Sequence, residues 1–257
     1  MSRCWSPPAV SGWPRCTRSS GRNREFLDAH RSAGRSVRGI GKPIWPGRSE
    51  VELADCAQHE SLLNLAFGDG PAWRLLCPYD ENALPQNVLE EARANHPVIL
   101  AEGELSVSEV YHPERARRAL RGPPLPPPGN APVELPFTTG ELASVRRLVE
   151  RRCLEVGTSA DVTDDLVLCV NEIATNGLAH GGGRGVLRVW READALVCEV
   201  SDSGTIADPL VGRARPALGK TGGRGVWLAN QLCDLVQVRS GAAGTVVRLH
   251  TRLTDAG

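Results

Sequence analysis

Lysine is almost missing from this 257-residue chain: Lys42 and Lys220 are the only two among 30 basic residues. Acidic residues also number 30, so the formal net charge is zero. Without an excess of either sign, the chain offers no electrostatic footprint for direct contact with nucleic acid or an anionic membrane. No stretch approaches the ~20 apolar residues that a membrane span needs. The arginine-bearing N-terminus has no apolar run either, broken as it is by Pro7, Pro8, Gly12 and Pro14, so it does not read as a secretory leader. No C-x-x-C pair and no Cys/His cluster by spacing occurs among the eight cysteines, which argues against a metal or disulfide framework. Cys153, Cys169 and Cys198 fall in apolar stretches, where cysteine behaves as a small hydrophobe. Reduced thiols in a cytoplasmic protein are the expectation. A P-loop is also absent. Gly212 to Thr221 ends in G-K-T, but its first glycine stands too far from Gly219 and no strand leads into it.

What remains is ordinary for a globular protein, with 41% hydrophobic and 23% charged residues, and a length that accommodates two small domains. Residues 1–24 are rich in Ser, Arg, Pro, Trp and Cys without periodicity and are expected to lie outside the fold. From Glu25 to Leu120 the pattern is globular. Ser49 and Glu52 form a capping box for a helix whose Leu53, Cys56, Ala57, Leu62, Leu63 and Ala66 keep helical spacing through Phe67. Trp73–Cys77 reads as a short strand ended by Pro78, and Pro85–Asn95 as a second helix. Residues 121–132, R-G-P-P-L-P-P-P-G-N-A-P, can hold neither a helix nor an interior strand and mark a domain boundary.

Beyond the boundary, residues 133–257 read as mixed α and β. Val133–Thr138 is a strand, Glu141–Val156 an amphipathic helix, and Val162 or Thr163 to His180 a second helix. Gly185–Glu192 and Leu196–Ser201 are strands around a tight turn at Ala193–Asp194. A helix runs from Val226 to about Cys233, and Leu235–Arg239 with Thr245–Arg252 closes a hairpin around a five-residue loop, Ser240–Gly244.

Chemistry concentrates in this half. Glu172, Asn176 and His180 stand at i, i+4 and i+8, which puts them on one helix face. Alone, such a row also fits plain surface polarity. The strand ending in Asp202-Ser203-Gly204 puts a carboxylate at a strand terminus beside a glycine, an arrangement that suits the exocyclic amine of a base. Thr205–Gly222 is long enough for a mobile lid. Gly222-Gly223-Arg224-Gly225 then precedes a helix, where backbone N–H groups can meet phosphates.

In that order, E-x-x-x-N, D-x-G and G-x-G-V resemble the GHKL (Bergerat) ATPase fold, and within it the anti-sigma-factor serine kinases. The D-x-G-x4-P box is matched by Asp202, Gly204 and Pro209, and the G-R-G-[LV] box by Gly223, Arg224, Gly225 and Val226. The resemblance covers Val133 to Leu253. It implies an α+β fold, a two-layer sandwich with a mostly antiparallel sheet, that binds ATP with Mg²⁺. It further implies that Asn176 ligates Mg²⁺, Asp202 and Gly204 hold adenine with Thr245 in support, and Gly223, Arg224 and Gly225 meet the phosphates. Glu172 would then be the general base, with Lys220 a further phosphate contact. The partners it implies are a STAS-type anti-anti-sigma protein as phosphoryl acceptor and a sigma factor, and it allows a homodimer. Two alternatives stand beside the kinase: a non-catalytic ATP-dependent switch and a sensor histidine kinase. His59-Glu60-Ser61-Leu62 resembles a phospho-acceptor box but lacks the following proline and the two-helix hairpin of such modules.

Residues 25–120 resemble the C-terminal part of a MEDS-type sensory domain through Gly39–Trp45, His59–Phe67 and Cys77–Asp80. On that resemblance the unit is a truncated α/β sensory domain.

Overall fold

The computed structural model describes residues 37–42, 44–67, 73–213 and 224–253. Residues 1–36 lie outside them, as do Lys220 and Gly223 of the expected site.

The N-terminal unit begins with β1 (Val37–Ile40), α1 (Glu50–Phe67) and β2 (Trp73–Leu76), and β1 pairs with β2 in parallel. The predicted capping box closes the start of α1. Ser49 N–H donates to Glu52 Oε2 at 2.8 Å, and Glu52 N–H returns to Ser49 Oγ at 3.4 Å. α2 (Gln86–Asn95), the hairpin β3 (Val98–Ala101) and β4 (Glu104–Val107), and the short α3 (Glu114–Arg117) follow. Ile44, Cys56, Leu84, Val88 and Leu89 form the small core, with Leu53 and Tyr79 packed on it.

The buried side of α1 differs from the apolar stripe that the spacing predicts. Glu52, Asp55, His59, Glu60 and Ser61 are buried there with Cys56 and Leu62, whereas Leu53, Ala57, Leu63 and Ala66 are only half-buried. Asp55 and His59 turn toward arginines of the C-terminal unit, while Glu52 pairs with Arg48 and Glu60 with Tyr79 inside the N-terminal unit. Burial raises the Asp55 carboxyl's pKa, and the charges of Arg213, Arg48 and Arg239 pull it back.

The C-terminal unit contains β5 (Val133–Thr138), α4 (Leu142–Val156), α5 (Ala160–His180), β6 (Arg184–Arg191), β7 (Ala195–Asp202), α6 (Arg224–Leu232), β8 (Leu235–Gly241) and β9 (Gly244–Arg252). Five strands make one antiparallel sheet in the order β5-β6-β7-β9-β8. The expected mixed α+β sandwich is what forms. α5 starts at Ala160, before the expected Val162, because Ser159 caps it with its side chain accepting from Val162 N–H. The closing hairpin is tighter than expected. β8 and β9 pair out to Gly241 and Gly244, leaving a two-residue turn at Ala242–Ala243.

Side-chain alternation along the strands splits the sheet into two faces. Leu187, Val189, Leu196, Cys198, Val200, Val247 and Leu249 pack against Val145, Val149, Leu166, Val170 and Ile173 of α4 and α5. The opposite face carries Trp190, Ala195 and Val197 and a buried ion pair in which Arg248 Nη2 lies 2.6 Å from Glu199 Oε2. Residues 122–132 contain no helix or strand and run across this second face. The carbonyl of Pro126 accepts from Arg248 Nη2 at 2.9 Å, and that of Pro123 from Arg239 Nε at 3.0 Å. The linker therefore adds an acceptor, beside Glu199, for a guanidinium buried where an unmet donor would be costly. Leu120, just before it, belongs to the main core cluster.

Candidate functional site

The site is organised by α5. Its apolar side (Leu166, Cys169, Val170, Ile173 and Ala174) is buried against the sheet and α4. The row Glu172–Asn176 lies on a different, half-buried side. α6 crosses here, and a glycine makes the crossing possible. A Cβ at Gly225 would stand 2.6 Å from Asn176 Nδ2 and 3.2 Å from Glu172 Cβ. The first turn of α6 thus touches both polar residues that the motif predicts, with Arg224 exposed beside it.

One helical turn further along α5, Gly177 and Gly181 open room for the end of β7. A Cβ at Gly177 would lie 3.0 Å from Asp202 Oδ2, and one at Gly181 2.3 Å from Asp202 Oδ1. Asp202 shares its sheet face with Val200 and so points at the helix layer. Its Oδ1 accepts from Gly204 N–H at 2.7 Å. Oδ2 receives no hydrogen bond from any described residue, which leaves a carboxylate oxygen available to a ligand donor. Gly204 is itself constrained, since a Cβ there would be 2.7 Å from the carbonyl oxygen of His180.

Thr245 stands directly opposite Asp202 in the β7–β9 register and is buried. Its hydroxyl donates to the Gly204 carbonyl at 2.9 Å and lies 2.8 Å from Ser240 Oγ, which in turn accepts from Ile206 N–H at 2.7 Å. The loop leaving Asp202 is therefore pinned to the β8–β9 hairpin.

The structure brings the expected residues into two adjacent groups on α5: Glu172, Asn176 and Gly225 in one, Asp202, Gly204 and Thr245 in the other. His180 is exposed and joins neither through its side chain. Three glycines and a serine escaped the sequence reading. Gly177 had a signal, a glycine in the middle of an otherwise regular helix. Gly244 has φ +110° and would place a Cβ 2.2 Å from the Asp202 carbonyl oxygen; it looks like any turn glycine in sequence, as do Gly181 and the partner hydroxyl Ser240.

The segment that leads from Asp202 toward α6 also meets the N-terminal unit. Arg213 Nη1 lies 3.3 Å from His59 Nδ1. Gln58 and Leu120 face Pro209, Val211 and Asn230 across a small cleft, and Arg239 Nη1 donates to Gln58 Oε1 at 3.3 Å. His59 is buried at 2% exposure. Burial, reinforced by the Arg213 charge, holds its imidazole down to about 3, so it is neutral and shielded from a phosphoryl donor.

Comparison with known proteins finds two domain families in the chain. Residues 135–251 match the family model of the histidine kinase-like ATPase domain, and residues 10–97 match that of MEDS, the methanogen/methylotroph, DcmR sensory domain. Both resemblances seen in the sequence therefore hold, and the second extends further toward the N-terminus than the segments that first suggested it. No curated protein matches the chain. Among solved structures, the RsbU and RsbW domains of a Mycobacterium tuberculosis protein align over 48% of this chain and 33% of that one, at 20% identity and a TM-score of 0.37. The chain thus covers about a third of that solved chain's length. Among the described residues no helix is long and apolar enough to cross a membrane.

Proposed function

We propose that the chain is an ATP-dependent regulator whose C-terminal unit binds Mg-ATP and transfers the γ-phosphoryl group to a serine or threonine of a partner protein. In this reading the partner is a STAS-type anti-anti-sigma protein, with a sigma factor as the second client. The observation that carries it is the crossing of α6 on α5 at Gly225, which joins Glu172 and Asn176 to the start of a helix while Asp202 and Gly204 stand one turn away.

The donor set fits both ligands. Asp202 keeps an oxygen for the adenine amine, and Gly204, held by Thr245, lets the base approach closely. The Asn176 carboxamide oxygen is a hard donor of the kind Mg²⁺ takes, and Mg²⁺ supplies neutralisation of the phosphate charge. Arg224 and Gly225 meet the phosphates from the start of α6, and the motif assigns Gly223 and Lys220 to the same role. Glu172, one turn before Asn176, orients the acceptor hydroxyl and takes its proton. Phosphoryl transfer asks little more of a protein than positioning and charge stabilisation.

The test is transfer of label from γ-labelled ATP to a candidate STAS protein. Labelled partner supports the kinase. Saturable Mg-ATP binding without transfer supports a second reading, a switch in which ATP governs docking. The contact between Arg213 and His59 favours that reading specifically, because it ties the N-terminal helix to the segment that would close over nucleotide. A sensor histidine kinase is disfavoured by the burial of His59.

A further inference from the structure

Away from the ATPase unit, the fold assembles a cluster that cysteine spacing could not reveal. Glu60 comes from α1, Cys77 follows β2, and His96 caps the C-terminus of α2. One ligand atom of each lies within 4.8 Å of the other two. Glu60 is buried at 2% exposure. The Tyr79 hydroxyl donates to its Oε2 and the Cys77 thiol approaches the same carboxyl group, while Oε1, equally buried, lacks a hydrogen bond of normal geometry. A buried carboxylate oxygen without such a bond is rare enough to need a reason. His96 Nδ1 lies 2.8 Å from the Ala92 carbonyl. A carbonyl can only accept, so Nδ1 carries the ring proton and Nε2 keeps its lone pair. Tyr79 stands edge-on to the same ring, with centroids 5.8 Å apart at 83°, and helps fix its orientation.

We propose that Glu60, Cys77 and His96 form a three-residue site for a zinc-class divalent cation. The donor set of one thiolate, one imidazole and one carboxylate is the mixture that zinc accepts, with the fourth position left to water or a small ligand. The outer contacts are those of a metal site as well. One hydrogen bond holds each of two ligands, Tyr79 on Glu60 Oε2 and Ala92 on His96 Nδ1, which leaves Oε1 and Nε2 for a cation. Around a tetrahedral zinc such ligand atoms stand about 3.3–3.6 Å apart, so the cluster contracts modestly on binding. Cys77 and His96 are both half-buried, against the buried Glu60, so the entry path lies on their side of the cluster. On binding, the Cys77 thiol releases its proton to solvent. The resulting thiolate and the Glu60 carboxylate together balance the dication.

The experiment uses the full chain with Co²⁺ as a spectroscopic stand-in. The expected result is one equivalent bound, with a thiolate-to-cobalt charge-transfer band and the visible bands of tetrahedral cobalt, both displaced by Zn²⁺. Cys77→Ser should abolish the charge-transfer band. Tyr79→Phe should keep the band but weaken affinity 10–100-fold, as loss of an outer contact does. Far-ultraviolet circular dichroism checks that each variant is folded. Should Cys77→Ser fail that check, Glu60→Gln, which keeps the shape, is read instead for the same loss of stoichiometric binding. Absence of the band in wild type at stoichiometric cobalt, or its persistence in folded Cys77→Ser, overturns the proposal and leaves the cluster a buried hydrogen-bonded group only.

Discussion

Gly225→Ala is the substitution that separates a site at the α5–α6 crossing from ordinary helix packing. The added Cβ would stand 2.6 Å from Asn176 Nδ2, 3.2 Å from Glu172 Cβ and 3.3 Å from the Glu172 carbonyl carbon. Relaxed contact needs about 3.5 Å. The Glu172 backbone cannot yield, but the Asn176 carboxamide can swing aside, and it must move by roughly 0.9 Å. In stability the change lies between neutral and about 2 kcal/mol destabilising. Overpacking costs about 1–3 kcal/mol, and replacing glycine in a helix returns about 1 kcal/mol. In function it should not be neutral, because an error of about 1 Å at a positioned group can cost on the order of 10²-fold in rate. The assay is paired: denaturant unfolding for stability, and Mg-ATP affinity with phosphoryl transfer for function. We expect a stability change within about 2 kcal/mol, weakened Mg-dependent ATP binding and turnover down roughly 100-fold. Wild-type affinity and turnover in a folded Gly225→Ala chain would refute the placement of Asn176 at the metal.

Three further outcomes are expected. Glu172→Gln should leave ATP affinity nearly intact while turnover falls by ~10²–10⁴-fold, the scale of a lost general base, whereas Asn176→Ala should impair Mg-dependent binding and turnover together; unchanged transfer in Glu172→Gln would remove its catalytic role. Stability should fall on acidification below about pH 6.5. Burial lowers the His250 imidazole to about 4, against the opposing charge of Glu192, so the unfolded chain takes up a proton that the folded chain refuses. That costs roughly 2 kcal/mol at pH 5, and His250→Gln should remove that share of the decline while the share of buried His59 remains, as urea titrations across pH will show. Finally, a fragment starting at residue 119 should be more stable than one starting at Val133. The shorter one loses Leu120 from the core and the Pro126 carbonyl from Arg248, and equal melting temperatures would contradict that role of the linker.

How far the sequence reveals this molecule depends on the range of the interactions involved. Periodicity and caps found α1, α2, α4 and α5, and the order of Glu172, Asn176, Asp202 and Gly204 pointed to one site, because each signal lies within a helix turn or a strand end. Long-range facts stayed hidden. Gly177, Gly181 and Gly244 are required by the bulk of Asp202, and only the packing of α5 on β7 and the β7–β9 register reveals that. On the polar buried side of α1, Asp55 and His59 meet arginines that arrive from the C-terminal unit. The proline-rich segment reads as a separator, yet its carbonyls accept from Arg248 and Arg239. Glu60, Cys77 and His96 belong to three elements, so no spacing rule brings them together.

Calorimetric titration of Mg-ATP into the full chain and into Asp202→Asn tests the central claim most directly. The account predicts saturable one-site binding by wild type. The variant should bind roughly 10- to 150-fold more weakly, the 1.5–3 kcal/mol scale of a hydrogen bond to a charged group. Equal affinity in the two would contradict the assignment of Asp202 to adenine, and no binding by the wild type would contradict the nucleotide site itself.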